Sequence, residues 1–376
     1  MGDRLAYVDG SGEVRCSKLD PSAEWLIGGR WMMERPGEQS RVLFRWPTWS
    51  PTADRIAFEG LAVHKEGVEQ AVLWVVSADG VRAEALTDLP AEGVVYLRWR
   101  NDGEDLLLLR PGEQGRLRLG EARGDPSLID GAPLFVCSLE GGGAIAHVWA
   151  GDLHRARLVH LPDQGEAHTI TERPGPFRTP AVLTDGSVVF VIRENDCDRL
   201  VSWTPANGIE ELFPAPAGRI ALIPDPGGGV LIASGPEAGT AYERLERASA
   251  PHWTPEMVCE TPFQAAFPIS RAGVALVEAE ESGAFSWAQV DGSGADPRIV
   301  FRFVPTEEEA LRLGFFDQYH GSHSPIAPGG DALVVAGVDV SRSPLPEEPH
   351  LYLVPLDGSL PRSLGPGRFA TWAPRA

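Results

Sequence analysis

Lysine is nearly missing from this chain: Lys18 and Lys65 stand alone among the basic residues, the rest being arginine. Acidic side chains outnumber basic ones 53 to 33, a formal charge of −20. Phosphate backbones and anionic lipid need the opposite sign, so no nucleic-acid or membrane partner is expected. Cysteine is scarce too, and Cys16, Cys137, Cys197 and Cys259 lie far apart with no CxxC spacing. That pattern offers neither a zinc site nor a disulfide framework; free, mostly buried thiols are the expectation. No apolar stretch is long enough to span a bilayer, and Met1-Gly2-Asp3-Arg4 runs into a strand without the apolar core of a leader. These absences set the expectation of a monomer in a reducing cytoplasm, with no metal and no cofactor.

Turn chemistry, by contrast, is plentiful. Gly 42 and Pro 33 fall between short apolar runs, and 43% of the residues are hydrophobic, enough for a sizeable core. Such spacing reads as many short strands joined by tight turns. The repeat is clearest from Pro47 to Glu59, where a strand ending Trp49-Ser50-Pro51 turns and returns as an alternating strand. A third strand, Val72 to Val76, ends at Ala78-Asp79-Gly80, and a fourth, Arg82 to Thr87, closes the unit. Further copies open at Leu97-Arg98-Trp99, at Leu134 to Ser138 with Gly143 to Trp149, and at Ala181 to Phe190. Others open at Ile220 to Ile223, at Ala266 to Ile269, and at the hairpin Ser324 to Ala336, while the 207–262 region reads as weakly stranded.

The end of the chain completes its beginning. Arg368 to Pro374 reads as a first strand with nothing after it, and Asp3 to Val8 reads as the strand that should follow. The expected fold is therefore all-β: a single β-propeller domain over 1–376, of four-stranded blades, closed by its N- and C-terminal strands in a composite blade. The count is eight, with seven as the alternative. Trp49-Ser50-Pro51, Trp372-Ala373-Pro374 and the turns Asp79-Gly80 and Asp357-Gly358 resemble the WD40-like (PD40) repeats of TolB-type propellers. The propeller domain of dipeptidyl-peptidase-IV-type proteins is similar. The resemblance implies the blade, not an activity. The chain lacks the Gly-x-Ser-x-Gly nucleophile elbow of those peptidases.

In a four-stranded meander, first-to-second and third-to-fourth turns share one end; second-to-third turns and inter-blade connections share the other. Turns of the first kind are short here. The long connections, 29–43, 62–70, 193–198, 304–321 and 339–349, are nearly all of the second kind, and a rigid scaffold presents function on such loops. The richest connection runs Glu307-Glu308-Glu309-Ala310-Leu311-Arg312-Leu313-Gly314 into Phe315 to His323. Its acidic start and Gly314 predict a short helix.

The polar groups that follow supply candidates. Asp317, Tyr319 and His323 are the candidate acid–base residues, and Gln318, His320 and Ser322 could join a ligand site with apolar walls from Phe315, Phe316 and Trp31. Arg193 and Glu194 add a second polar cluster on the same rim. Inter-blade hydrogen bonding explains the Asp and His residues equally well. Gly321 removes the helix that an HxxH metal pair needs, and adjacent Ser322 and His323 seldom reach triad geometry. The expected role is a binding or scaffold module for a small molecule or peptide, with Trp31 to Arg35 offering a patch for a protein partner. The alternative is a lyase, cyclase or isomerase working by acid–base chemistry.

Overall fold

The computed structural model describes residues 4–19, 24–33, 40–111, 117–124, 128–131, 133–140, 142–148, 156–194, 197–269, 273–292, 296–341 and 348–375. Met1, Gly2, Asp3, Glu34, Arg35, Trp149, Asn195 and Asp196, drawn into the sequence reading, lie outside the described residues. The chain forms two compact units. The first holds Met1–Asp130, Phe301–Arg312 and Ser322–Ala376; the second holds Gly131–Val300 and Leu313–Gly321. Among the described residues, no helix is long and apolar enough to cross a membrane.

In the first unit, Arg41–Trp49, Arg55–His64, Gly67–Ser77 and Ala83–Leu89 form a four-stranded antiparallel sheet in chain order. This meander is the blade unit of a β-propeller. Its first turn is built by Ser50, whose Oγ donates to Asp54 at 2.8 Å and accepts from the Arg55 amide at 3.0 Å. Tyr96–Trp99, Leu106–Pro111, Leu117–Glu121 and Ile129–Gly131 repeat the pattern. Their first turn passes through Gly103 at φ +73°, a conformation open to glycine at little cost. Leu106 to Leu109 are buried on both faces, as in a sheet packed between neighbours.

Tryptophans tie successive repeats together. Trp99 Nε1 donates to Thr48 O at 3.1 Å, Trp49 Nε1 to Thr371 O at 3.3 Å, and Trp372 Nε1 to Pro325 O at 3.0 Å. An arginine then covers each of two indoles: Arg55 lies 5.1 Å from Trp99, and Arg4 lies 5.0 Å from Trp49. Arg4 thus does for the repeat begun at Trp372 what Arg55 does for the repeat begun at Trp49. The strand Arg362–Trp372 pairs antiparallel with Leu5–Asp9 in the register Leu5↔Trp372 to Val8↔Phe369. The two ends of the chain therefore build one sheet.

The second unit repeats the meander. Its sheets are Pro133–Ser138, Ala144–Val148, Arg157–Leu161 and His168–Thr171; Ala181–Val182, Val188–Glu194, Cys197–Thr204 and Gly208–Pro214; and Arg219–Asp225, Gly229–Gly235, Arg244–Ser249 and Glu256–Cys259. Ala265–Pro268, Gly273–Ala279 and Phe285–Asp291 follow. The 207–262 region thus carries five well-paired strands. Exposed Glu210 and Glu211 on the strand Gly208–Pro214 dilute its apolar pattern without breaking its ladder.

Two expected loops are corrected as well. Residues 62–70 and 193–198 are mainly hairpin ladder, closed by His64↔Gly67 and by Glu194↔Cys197. The four cysteines sit in different sheets, Cys16, Cys137 and Cys259 buried and Cys197 exposed.

Candidate functional site

The 304–321 connection folds as its sequence predicts. Helix α1 spans Glu307–Gly314 and helix α2 spans Phe316–Tyr319. Thr306 caps α1, its Oγ1 accepting from the Glu309 amide at 3.1 Å and donating to Arg368 O at 2.7 Å. Glu309 and Arg312, one turn apart, are both fully buried and ion-paired. Arg312 also donates to Ala370 O at 2.7 Å and lies 4.8 Å from the Phe369 ring. Burial raises the Glu309 pKa, against the pull of Arg312.

His323 belongs to the first unit and is fully buried. Its Nδ1 meets Ser322 Oγ at 2.8 Å, and that oxygen meets Tyr96 Oη at 2.8 Å. Trp46, at 6.1 Å, and Phe369, at 5.7 Å, set their rings edgewise to the imidazole. Burial, with lesser pressure from Arg312 and Arg98, pushes its pKa down to about 3. Near neutral pH this imidazole is uncharged and a weak base.

Asp317, Gln318, Tyr319 and His320 belong to the second unit, as do Phe315 and Phe316. The Asp317 carboxylate is buried and gripped side-on by Arg178, with Nη2 at 2.6 Å from Oδ1 and Nε at 3.2 Å from Oδ2. Gln318 acts like a strand partner. Its Nε2 donates to Val136 O at 3.0 Å, and its Oε1 accepts from Val136 N at 3.2 Å and Thr179 Oγ1 at 3.2 Å. Phe316 and Tyr319 are buried, whereas His320 and Phe315 reach the surface.

The remaining candidates stand apart. Trp31, in the first unit, is 66% exposed. Arg193 is exposed and paired with Asp198 at 2.9 Å, beside exposed Glu194. Among the described residues, no group of three or more metal-ligating side chains forms.

A cavity of about 740 Å³ lies within the second unit, at a place the sequence reading passed over. Its walls include Pro216, Gly218, Gly235, Pro236 and Pro262, with Ser234, Glu243, Arg244 and Glu260 as polar groups. These residues come from the connection before Arg219–Asp225, the turn between Gly229–Gly235 and Arg244–Ser249, and the connection after Glu256–Cys259. All three are second-to-third turns or inter-blade connections. The available signal was the recurrence of Pro216, Pro236 and Pro262 just beyond strand ends. A smaller cavity, about 380 Å³ in the first unit, surrounds Arg15. That guanidinium is already held by Asp9 at 2.5 Å and Glu24 at 3.1 Å.

No protein-family model matches the chain, and no curated protein sequence matches it. Among the solved structures similar to it are a TolB, the propeller domain of a protease and a lyase. One is TolB from Acinetobacter baumannii, at 14% identity and TM-score 0.41, covering 88% of this chain and 66% of that one. Another is the β-propeller domain of the Trilobed protease from Pyrococcus furiosus, at 10% and 0.46, covering 76% and 85%. A third is oligogalacturonate lyase from Vibrio parahaemolyticus, at 11% and 0.44, covering 97% and 86%. All three lie below 25% identity and below a TM-score of 0.5, and no activity follows from the likeness.

Proposed function

We propose that this chain is a TolB-like β-propeller serving as a binding or scaffold module for a small molecule or peptide. The ligand enters at the end of the meanders that carries the second-to-third turns and the inter-blade connections. The observation that carries this reading is the cavity of about 740 Å³, walled by three such connections. Its volume falls in the range of small-molecule sites, and its apolar walls carry a few convergent polar groups. A finer architecture belongs to the same proposal: one closed ring of eight blades, a single domain over 1–376, monomeric and cytoplasmic. The shared sheet of the chain ends and the matching roles of Arg4 and Arg55 support closure.

The acid–base alternative receives less support. It asks His323 to take a proton, and burial holds that imidazole's pKa near about 3. It asks Asp317 for a carboxylate that Arg178 already grips. These residues serve instead as cement for the helical insertion.

A fragment screen by ligand-observed NMR tests the module reading. Glu243, Arg244 and Glu260 are exposed, so Glu243→Lys with Glu260→Lys should fold normally. Hits whose binding weakens at least tenfold in that double variant are expected. A screen without hits, or hits indifferent to both substitutions, overturns the reading.

A further inference from the structure

Tyr242, beside the cavity-lining Glu243, is held from several sides. Its amide donates to Phe263 O at 2.7 Å and its carbonyl accepts from Phe263 N at 2.8 Å. Its ring, 2% exposed, stacks on Phe263 at 5.7 Å and meets the edge of Phe316 at 5.7 Å. The neighbouring strand comes so close that a Cβ on Gly235 would fall 3.0 Å from Tyr242 Cα. Opposite Gly235 in the ladder stands Arg219, whose guanidinium lies 4.2 Å from the centre of the Tyr242 ring.

This assembly leaves three polar groups without partners. The Tyr242 hydroxyl and the Nε and Nη2 of Arg219 are buried with no hydrogen bond among the described residues. An unsatisfied buried donor costs about 1–3 kcal/mol, so their grouping calls for a reason. Nε and Nη2 form the side-on edge of a guanidinium, the edge that binds carboxylates in a fork. In the same unit, Arg178 uses this edge to hold Asp317. Charge agrees with geometry: Arg178 and Asp317 cancel, and Arg219 makes no ion pair among the described residues. One positive charge is left over beside a phenol donor.

We propose that Arg219 and Tyr242 form a receptor for a carboxylate on the bound ligand, with the fork of Arg219 taking both oxygens and the Tyr242 hydroxyl donating to one. Arg219 is part-exposed, and for its fork to take a ligand the side chain must shift enough to open space beside the Tyr242 hydroxyl. Gly218 and Gly235, which flank it in sequence and in the ladder, line the cavity described above. The rest of a ligand anchored here extends along those walls. The planar fork and its single charge suit one carboxylate group, two coplanar oxygens sharing one charge, better than a tetrahedral phosphate dianion. This assignment rests on the binding-module reading.

The test is titration of the full chain with succinate, with inorganic phosphate, and with chloride at matched ionic strength, read by thermal unfolding. A saturable rise in melting temperature with succinate, beyond chloride and beyond phosphate, is expected. Tyr242→Phe should weaken succinate about tenfold, the worth of one charge-assisted hydrogen bond, without lowering the unliganded melting temperature. Arg219→Met should abolish the response, and Arg219→Lys should keep part of it. A purely structural Tyr242 would leave succinate affinity unchanged on loss of its hydroxyl, and that result overturns the proposal. So does a phosphate response equal to succinate's, or no saturable succinate response. If fragments still bind in a manner sensitive to Glu243→Lys and Glu260→Lys, the module reading survives and only the carboxylate receptor falls.

Discussion

Replacing His323 by alanine separates a structural imidazole from a working one, provided the experiment is done at two pH values. Near neutral pH the change removes a fully buried ring and leaves Ser322 Oγ without its 2.8 Å partner. A cavity of that size plus a lost hydrogen bond costs about 3 kcal/mol. The sign of the pH effect follows from the depressed pKa, ordinarily 6.5 and here about 3. Stability from the neutral buried form is complete above the unfolded value and is lost as pH falls toward the folded one. At about pH 5 the unfolded chain has gained its proton while the folded chain has not, which costs the wild type about 2 kcal/mol. The alanine variant carries no such group, so its penalty should shrink from about 3 to about 1 kcal/mol.

His147, held down at about 4 by its own burial, is present in both chains and cancels. Urea unfolding followed by tryptophan fluorescence at about pH 7.5 and about pH 5 measures both penalties. A penalty equal at the two pH values would refute the reasoning, because it would mean an imidazole of ordinary pKa, open to solvent and available for proton transfer.

Other consequences can be checked on the same material. Glu309→Gln strands the Arg312 charge in the core and should cost about 3–5 kcal/mol, most of it recovered when Arg312→Leu is added; urea titration of both variants decides. Asp317→Asn leaves Arg178 without its counter-charge and should cost about 2 kcal/mol, read as a lowered urea midpoint with no new ligand preference. Deleting 368–376 removes the segment that pairs with Leu5–Val8 and exposes the edge of that strand. Size-exclusion chromatography should then show aggregates, and a monomer with unchanged melting would contradict the shared sheet.

The repeat was legible because its signals are local. Ser50 and Asp54 close a turn within five residues, and Gly103 and Gly186 mark theirs with positive φ. The Trp-Ser-Pro end of the first strand recurs as Trp372-Ala373-Pro374, so the composite repeat at the chain ends could be foreseen. What each polar group of the insertion touches could not. Asp317 meets Arg178 across 139 residues of chain, and no local pattern encodes that encounter. His323 looked available because it ends the richest polar connection of the chain, yet its burial among Trp46, Tyr96 and Phe369 depends on strands far away in sequence. The cavity escaped notice for a related reason. Its walls are prolines and glycines, which read as turns, and only the folded sheets bring three such turns together.

The central claim is that ligand binds among the connections at 216–218, 234–244 and 260–262. A crystal structure of the protein with a screened fragment bound tests it most directly. Density against Gly218, Gly235 and Pro262, with the fragment's carboxylate turned to Arg219, is the predicted result. Density centred on His323 or on the Asp317 carboxylate, with that cavity empty, would contradict it.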